Sequence, residues 1–229
     1  MPPSINIFWI LITCYGLFFF ECIIAWKKQI ISLDTKILLS HAISRISIKN
    51  IVGIVILGLP LILFYNDWHQ LISWPVFNSL FQVLMVFFLL MIAIGISLQH
   101  TIRGTKSFST HKKKNEIIFR SPEISYLIIR VAFLVIYECF FRGLLLSVSV
   151  TAFGTAPAIV INIFLYTSIH AFNGRSEMLA CVPFGLLVCG TTILYQSILP
   201  AIAIHLILAL VNEIYLLCFS VPKPKTVSI

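Results

Sequence analysis

The feature that most constrains this chain is a series of long apolar runs separated by short polar stretches. Mean hydropathy is +1.03, and charged residues make up only 10% of the chain, whereas a soluble domain carries about a quarter. Because a helix needs about 20 apolar residues to cross a bilayer, these runs indicate that lipid surrounds much of the chain. We therefore predict an all-α fold, a polytopic transmembrane helix bundle.

The apolar runs predict about seven spans. They cover, approximately, residues 5–26, 50–65, 75–98, 124–151, 156–172, 178–195 and 197–219. A basic, polar linker at 99–122 divides the chain. It separates an N-terminal three-span region, 1–98, from a C-terminal region, 123–220, which a short tail at 221–229 follows.

The basic residues predict how the bundle is oriented. With seven spans, every Lys and Arg outside the apolar runs falls on one face, and the loops near 66–74, 152–155 and 196 carry none. Because basic loops are retained in the cytoplasm, we predict that the N-terminus lies outside and the C-terminus inside. The compact seven-span design favours a bacterial cytoplasmic membrane.

The net charge of +8 does not indicate nucleic-acid binding. The cations are distributed among the loops and the tail, where they can contact anionic lipid head groups, so the bilayer is the expected partner. The six cysteines all lie in apolar runs without a CxxC pair. This pattern predicts neither a disulfide framework nor a cysteine-type zinc site.

Four ionisable residues lie deep in the apolar runs: Glu138, Arg142, His170 and His205. Such residues are costly in a membrane and often mark function. Glu138 and Arg142, four residues apart, share a helix face and can pair; the pair could serve packing alone, or include a general base. Each histidine could equally be an interhelical hydrogen-bonding group. Arg130 lies near a span end, where its side chain can reach the interface.

Three segments resemble sequence motifs of one known family. The segment Tyr137-Glu138-Cys139-Phe140-Phe141-Arg142-Gly143 resembles the motif Glu-Glu-x-x-x-Arg. The segment Tyr166-Thr167-Ser168-Ile169-His170 resembles Phe-x-x-x-His, and His205-Leu206-Ile207-Leu208-Ala209 resembles His-x-x-x-Asn or Asp. The order and spacing of the three motifs along successive spans make the set specific. The set resembles the CAAX-protease and bacteriocin-processing (CPBP) intramembrane proteases, also described as type II CAAX endopeptidase-like.

The resemblance implies a helical intramembrane endopeptidase. It implies that Glu138 and His170 activate water and that His205 stabilises the oxyanion, while Arg142 orients Glu138 or contacts the substrate. Tyr166 is implied as a supporting residue. No cofactor is expected, although the family has been called both glutamic and metallo. A divalent metal such as zinc would be held by Glu138, His170 and His205.

The chain departs from the family pattern at three positions. Tyr166 stands where the family has Phe, a change that keeps the aromatic packing. Tyr137 stands where the family has its first Glu, so it is expected to support the site or bind substrate. Ala209 stands where the family has Asn, and Asn212, on the same face as His205, is a candidate replacement. These departures keep a second hypothesis open, namely a catalytically inactive scaffold or immunity-type membrane partner.

The favoured hypothesis is an endopeptidase that hydrolyses a peptide or membrane-anchored protein substrate. A proton or ion transporter is a third hypothesis, which the absence of an inverted repeat disfavours. The rise per residue further predicts a cavity open to the cytoplasm. It also predicts a short or tilted seventh helix, because His205 must reach the depth of Glu138.

Overall fold

The computed structural model describes residues 3–28, 40–75, 79–106 and 121–219, and every regular element in these ranges is a helix. The α-helices are α1 (Pro3–Lys27), α2 (Ser40–Leu63), α3 (Leu80–Lys106), α4 (Ser121–Glu138), α5 (Leu146–Phe153), α6 (Thr155–His170), α7 (Arg175–Tyr195) and α8 (Leu199–Phe219). A π-helix, Cys139–Leu145, joins α4 to α5, and short 3₁₀ turns lie at Tyr65–Asp67, His69–Ile72 and Ala171–Asn173.

Five helical segments are long and apolar enough to cross a membrane, which makes the chain an integral membrane protein. They are Ser4–Lys27, Ser44–Leu63, Ile124–Phe153, Thr155–Asn173 and Glu177–Tyr195. Two further apolar stretches, Leu80–Gly95 and Leu199–Val211, are shorter. Large apolar side chains such as Phe164 are exposed along these helices, as expected for contact with lipid. The all-helical fold is confirmed, while seven spans and the orientation of the termini stay predictions.

The helices follow the predicted runs closely, with two differences of extent. Helix α3 continues to Lys106 and so includes the first part of the predicted linker. Helix α2 begins at Ser40, before its predicted span, with a polar first turn and a half. The rest of the predicted linker, 107–120, and the C-terminal tail lie outside the described residues.

The predicted N-terminal region packs directly on the C-terminal one. Helix α2 lies against α4, α3 against α8 and α1 against α5, while α6 and α7 pack together. Helices α4 and α8 are antiparallel, because Glu138 contacts His205 and Arg130 contacts Glu213. This arrangement brings the three motif segments into one bundle.

The turn between α7 and α8 is tied to the loop that precedes α3. Helix α7 ends at Gln196, which has a left-handed backbone (φ 48°). The Ser197 hydroxyl donates to the Ser73 carbonyl at 2.7 Å, and the Ile198 N–H donates to the Leu71 carbonyl at 2.8 Å. These bonds fix where α8 begins and so help to set the depth of His205 within the bundle.

Candidate active site

The candidate site surrounds an irregular stretch of the long helical segment 121–153. Glu138 is the last residue of α4, and the following residues Cys139–Leu145 form a π-helix whose side chains are all buried. A π-helix has wider turns than an α-helix, with i→i+5 hydrogen bonds, and often marks a functional position. Arg142 lies inside this segment, so the irregular turn sets its direction relative to Glu138.

The Glu138 carboxylate is fully buried and meets a different cation or donor at each oxygen. Its Oε1 accepts a hydrogen bond from His205 Nδ1 at 2.5 Å. Its Oε2 lies 3.6 Å from Arg142 Nε, which confirms the pairing that the spacing of four predicted. The Glu138 side chain is only 1% exposed, against 9% for His205. Water would therefore reach the imidazole before it reached the carboxylate.

Arg142 is buried completely among groups that hold its guanidinium. Its Nη1 donates to Asn162 Oδ1, and its Cζ lies 4.7 Å from the centroid of the Tyr166 ring, a cation–π distance. Asn162 in turn donates from Nδ2 to the Phe141 carbonyl of the π-helix at 2.6 Å. Of the two predicted roles of Arg142, this burial favours orienting Glu138 over contacting a substrate.

The two predicted supporting tyrosines lie between the histidines. The Tyr166 ring centroid is 4.8 Å from that of His170 and 6.4 Å from that of His205. The Tyr137 ring lies 6.0 Å from both Tyr166 and His205. Both tyrosines are buried. Within the described ranges, the Tyr137 hydroxyl has no hydrogen-bond partner.

His170 has its own carboxylate partner, which is not Glu138. Its Nδ1 donates to Glu177 Oε1 at 2.8 Å, and Asn173 Nδ2 donates to the same oxygen at 2.6 Å. Glu177 reaches back because Gly174 makes a sharp turn before α7, with φ 117° and ψ 160°, a backbone conformation that is essentially restricted to glycine. The two acids and the two histidines thus form two pairs, Glu138–His205 and Glu177–His170.

A second buried ionic cluster ties α4 to α8 beside the site. Glu213 Oε1 accepts from Arg130 Nε at 2.7 Å, and Oε2 accepts from the Tyr126 hydroxyl at 3.0 Å. Arg130, which the sequence assigned to the interface, is therefore part of an interhelical contact. The cluster lies two turns, about 12 Å, along each helix from the Glu138–His205 contact.

Sequence reasoning missed Asn162, Glu177 and Glu213. Asn162 left a detectable signal, because it lies four residues before Tyr166 and eight before His170 on one helix face. Glu177 left none, since its contact depends on the turn at Gly174. Asn212 belongs to α8, but its side chain lies outside what the structure describes, so its predicted role stays a prediction.

The residues predicted as metal ligands do not form a metal site in this arrangement. Among the described residues, no three His, Cys, Asp or Glu side chains lie close enough together to hold a metal ion. His170 Nδ1 and His205 Nδ1 bind different carboxylates, so Glu138, His170 and His205 do not converge on one point. The reaction proposed for this site therefore involves no metal.

The comparison with known proteins concerns one part of the chain, residues 119–211. The family model described as "Type II CAAX prenyl endopeptidase Rce1-like" matches residues 119–211, which contain all three motifs. No curated protein and no solved structure matches the chain. The resemblance inferred from the motifs is confirmed: residues 119–211 match the family model of Rce1-like type II CAAX prenyl endopeptidases.

Proposed function

We propose that this chain is an intramembrane endopeptidase whose reactive centre lies between His170 and His205. One observation carries the proposal: a carboxylate holds Nδ1 of each imidazole, and both rings pack against Tyr166. With Nδ1 engaged, Nε2 is the nitrogen through which each ring can exchange a proton with water or substrate. The match of residues 119–211 to an endopeptidase family model supports the same reaction class.

The charges around the two histidines support different roles for them. Glu138 is shared by Arg142 and His205, so a protonated His205 gives this group a net positive charge, which suits an oxyanion. The Glu177 carboxylate accepts hydrogen bonds from His170 Nδ1 and Asn173 Nδ2, so its negative charge stabilises a proton taken up by His170. We therefore assign His170 as the general base and His205 as the oxyanion donor, with Glu138 and Arg142 as positioning residues.

The proposed reaction is hydrolysis by one water molecule. Water attacks the peptide carbonyl carbon while its proton passes to His170 Nε2, and the carbonyl oxygen becomes an oxyanion that accepts a hydrogen bond from His205 Nε2–H. The C–N bond then breaks, and His170 returns the proton to the leaving amine. The immediate products are one carboxylic acid and one amine, and each histidine recovers its starting state. The acid then loses its proton to the amine, which leaves a carboxylate and an ammonium group.

The substrate that we propose is a peptide or a membrane-anchored protein, cleaved at a bacterial cytoplasmic membrane. The test uses purified protein in lipid nanodiscs and quenched fluorescent peptides ending in Cys-aliphatic-aliphatic-X, with and without an S-farnesyl group. The same samples are also mixed with solubilised membrane proteins, whose new termini are identified by mass spectrometry in H₂¹⁸O. Hydrolysis places ¹⁸O in the new carboxylate.

We expect His170→Gln and His205→Gln each to lower kcat by about 100-fold or more. The matched control is His69→Gln, since His69 lies on the 3₁₀ turn His69–Ile72, outside the three motif segments, and it should leave cleavage unchanged. Cleavage that survives both site substitutions would contradict the proposal. A parallel assay with a chelator tests the metal hypothesis. The proposed mechanism uses no metal, so the chelator should leave cleavage unchanged.

One observation favours a second candidate, an inactive scaffold. Tyr137 replaces the first Glu of the motif, Ala209 replaces the Asn, and both oxygens of Glu138 face protein groups. A scaffold would retain the same membrane partners by co-purification in the His170→Gln and His205→Gln variants, and the wild type would generate no ¹⁸O-labelled terminus.

A further inference from the structure

The contact between Glu177 and His170 supplies a carboxylate that the motifs do not account for. Glu177 lies in the first turn of α7, outside the three motif segments, and its Oε1 is 2.8 Å from His170 Nδ1. Position 137, where the family has its first Glu, holds an aromatic residue instead. The other motif acid, Glu138, is engaged by His205 and Arg142.

Exposure rises steadily along a line of polar side chains that runs from the bundle interior to the α6–α7 turn. The side chains of Glu138 and His205 are 1% and 9% exposed, whereas those of His170 and Glu177 are 19% and 48% exposed. Asn173 and Arg175, both polar, flank the outer end of the line and are exposed. Water therefore meets Glu177 and His170 first.

From this geometry we infer that Glu177 is a positioning residue for His170. Glu177 holds Nδ1 in its protonated form, which directs the Nε2 lone pair of His170 toward water, and its charge balances the imidazolium that forms. The Gly174 turn and the Asn173 amide fix the carboxylate in place. The inference rests on the proposed function for its catalytic meaning, but the contact itself can be tested without any substrate.

The first measurement is the tautomer of His170, read from ¹⁵N chemical shifts of histidine-labelled protein in nanodiscs. His170→Gln identifies the resonance. In the wild type we expect the Nδ1–H form, and in Glu177→Ala a shift toward the Nε2–H form that prevails in a free histidine side chain. Asp67→Asn removes an exposed acid on another 3₁₀ turn and should leave the tautomer unchanged. An unchanged tautomer in Glu177→Ala would overturn the inference.

The second measurement is kcat on whichever peptide the wild type cleaves. We expect Glu177→Ala to lower kcat by about 10–100-fold with little change in KM, and Glu177→Asp to restore part of the loss. A loss no larger than that of Asp67→Asn, with cleavage by the wild type intact, would overturn the inference while the proposed function stands. If the wild type cleaves nothing, the proposed function fails, and the tautomer alone decides whether Glu177 positions His170.

Discussion

Arg142 is the residue whose environment is most sensitive to change. It is fully buried, and it contacts Glu138, Asn162 and the Tyr166 ring. We predict that Arg142→Met lowers the free energy of unfolding by about 3–5 kcal/mol, because it leaves a buried carboxylate without its cationic partner. Reversible unfolding in mixed micelles, followed by tryptophan fluorescence, measures this change.

The control for that prediction is an arginine that is exposed instead of buried. Arg175, in an exposed position at the start of α7, should tolerate the same replacement within about 0.5 kcal/mol. Arg142→Lys should fall between the two, since the ammonium keeps the charge but not the planar fork that serves Glu138 and Asn162 together. An Arg142→Met protein as stable as Arg175→Met would show that the buried pair adds nothing to stability.

Individual residues also show what could be predicted from the sequence. The Glu138–Arg142 pair followed from helical spacing and formed even though Arg142 lies in the π-helix that begins directly after Glu138. The convergence of Glu138 and His205 followed from motif order. The Glu177–His170 contact did not follow, because a loop conformation at Gly174 creates it and no periodic pattern encodes such a turn.

At the scale of elements, the π-helix Cys139–Leu145 depends on close packing of the loop that follows α2. A Cβ at Gly143 would lie 3.0 Å from Trp68 Cε3, and the indole is held by its Nε1–H bond to the Leu61 carbonyl at 2.9 Å. We predict that Gly143→Ala costs about 1–3 kcal/mol in stability, because the indole must shift. Gly16→Ala, where nothing lies within 4 Å, should be neutral or stabilising by up to about 1 kcal/mol. Equal effects at both positions would refute the packing argument.

The pairing of α4 with α8 gives a second prediction at this scale. Arg130 and Glu213 are in direct contact, so their substitutions should not be additive. In a double-mutant cycle with Arg130→Gln and Glu213→Gln, we expect a coupling of about 0.5–3 kcal/mol. Additive losses in the same unfolding assay would show that the contact does not hold the helices in register.

Helix extents were easier to predict than helix depths. Hydropathy predicted the helical spans, because a helix that crosses the bilayer needs about 20 mostly apolar residues. The depth estimate predicts a short or tilted last helix. Helix α8 is not short, since it continues to Phe219 while His205 contacts Glu138, and its tilt stays a prediction. The antiparallel pairing of α4 and α8 sets this depth, and such pairing is a long-range contact that a rise per residue does not contain.

For the whole molecule, the orientation in the membrane decides from which side a substrate enters. The charge distribution predicts that the loop before α3 lies outside and the α6–α7 turn lies in the cytoplasm. Trp74 is 84% exposed in that loop, and Arg175 begins α7. We predict that a membrane-impermeant maleimide labels Trp74→Cys in intact cells but labels Arg175→Cys only in inverted vesicles.

The unmodified chain is the control for this labelling, because four of its native cysteines, Cys22, Cys139, Cys181 and Cys189, are buried and Cys14 is half-buried. The reverse pattern would overturn the orientation and would put Glu177 and His170 on the outer side. The labelling result therefore also determines on which side of the membrane the site can meet its substrate. A site whose most exposed polar groups lie at the cytoplasmic edge can act on cytoplasmic tails of membrane proteins, whereas an inverted one would act on exported segments.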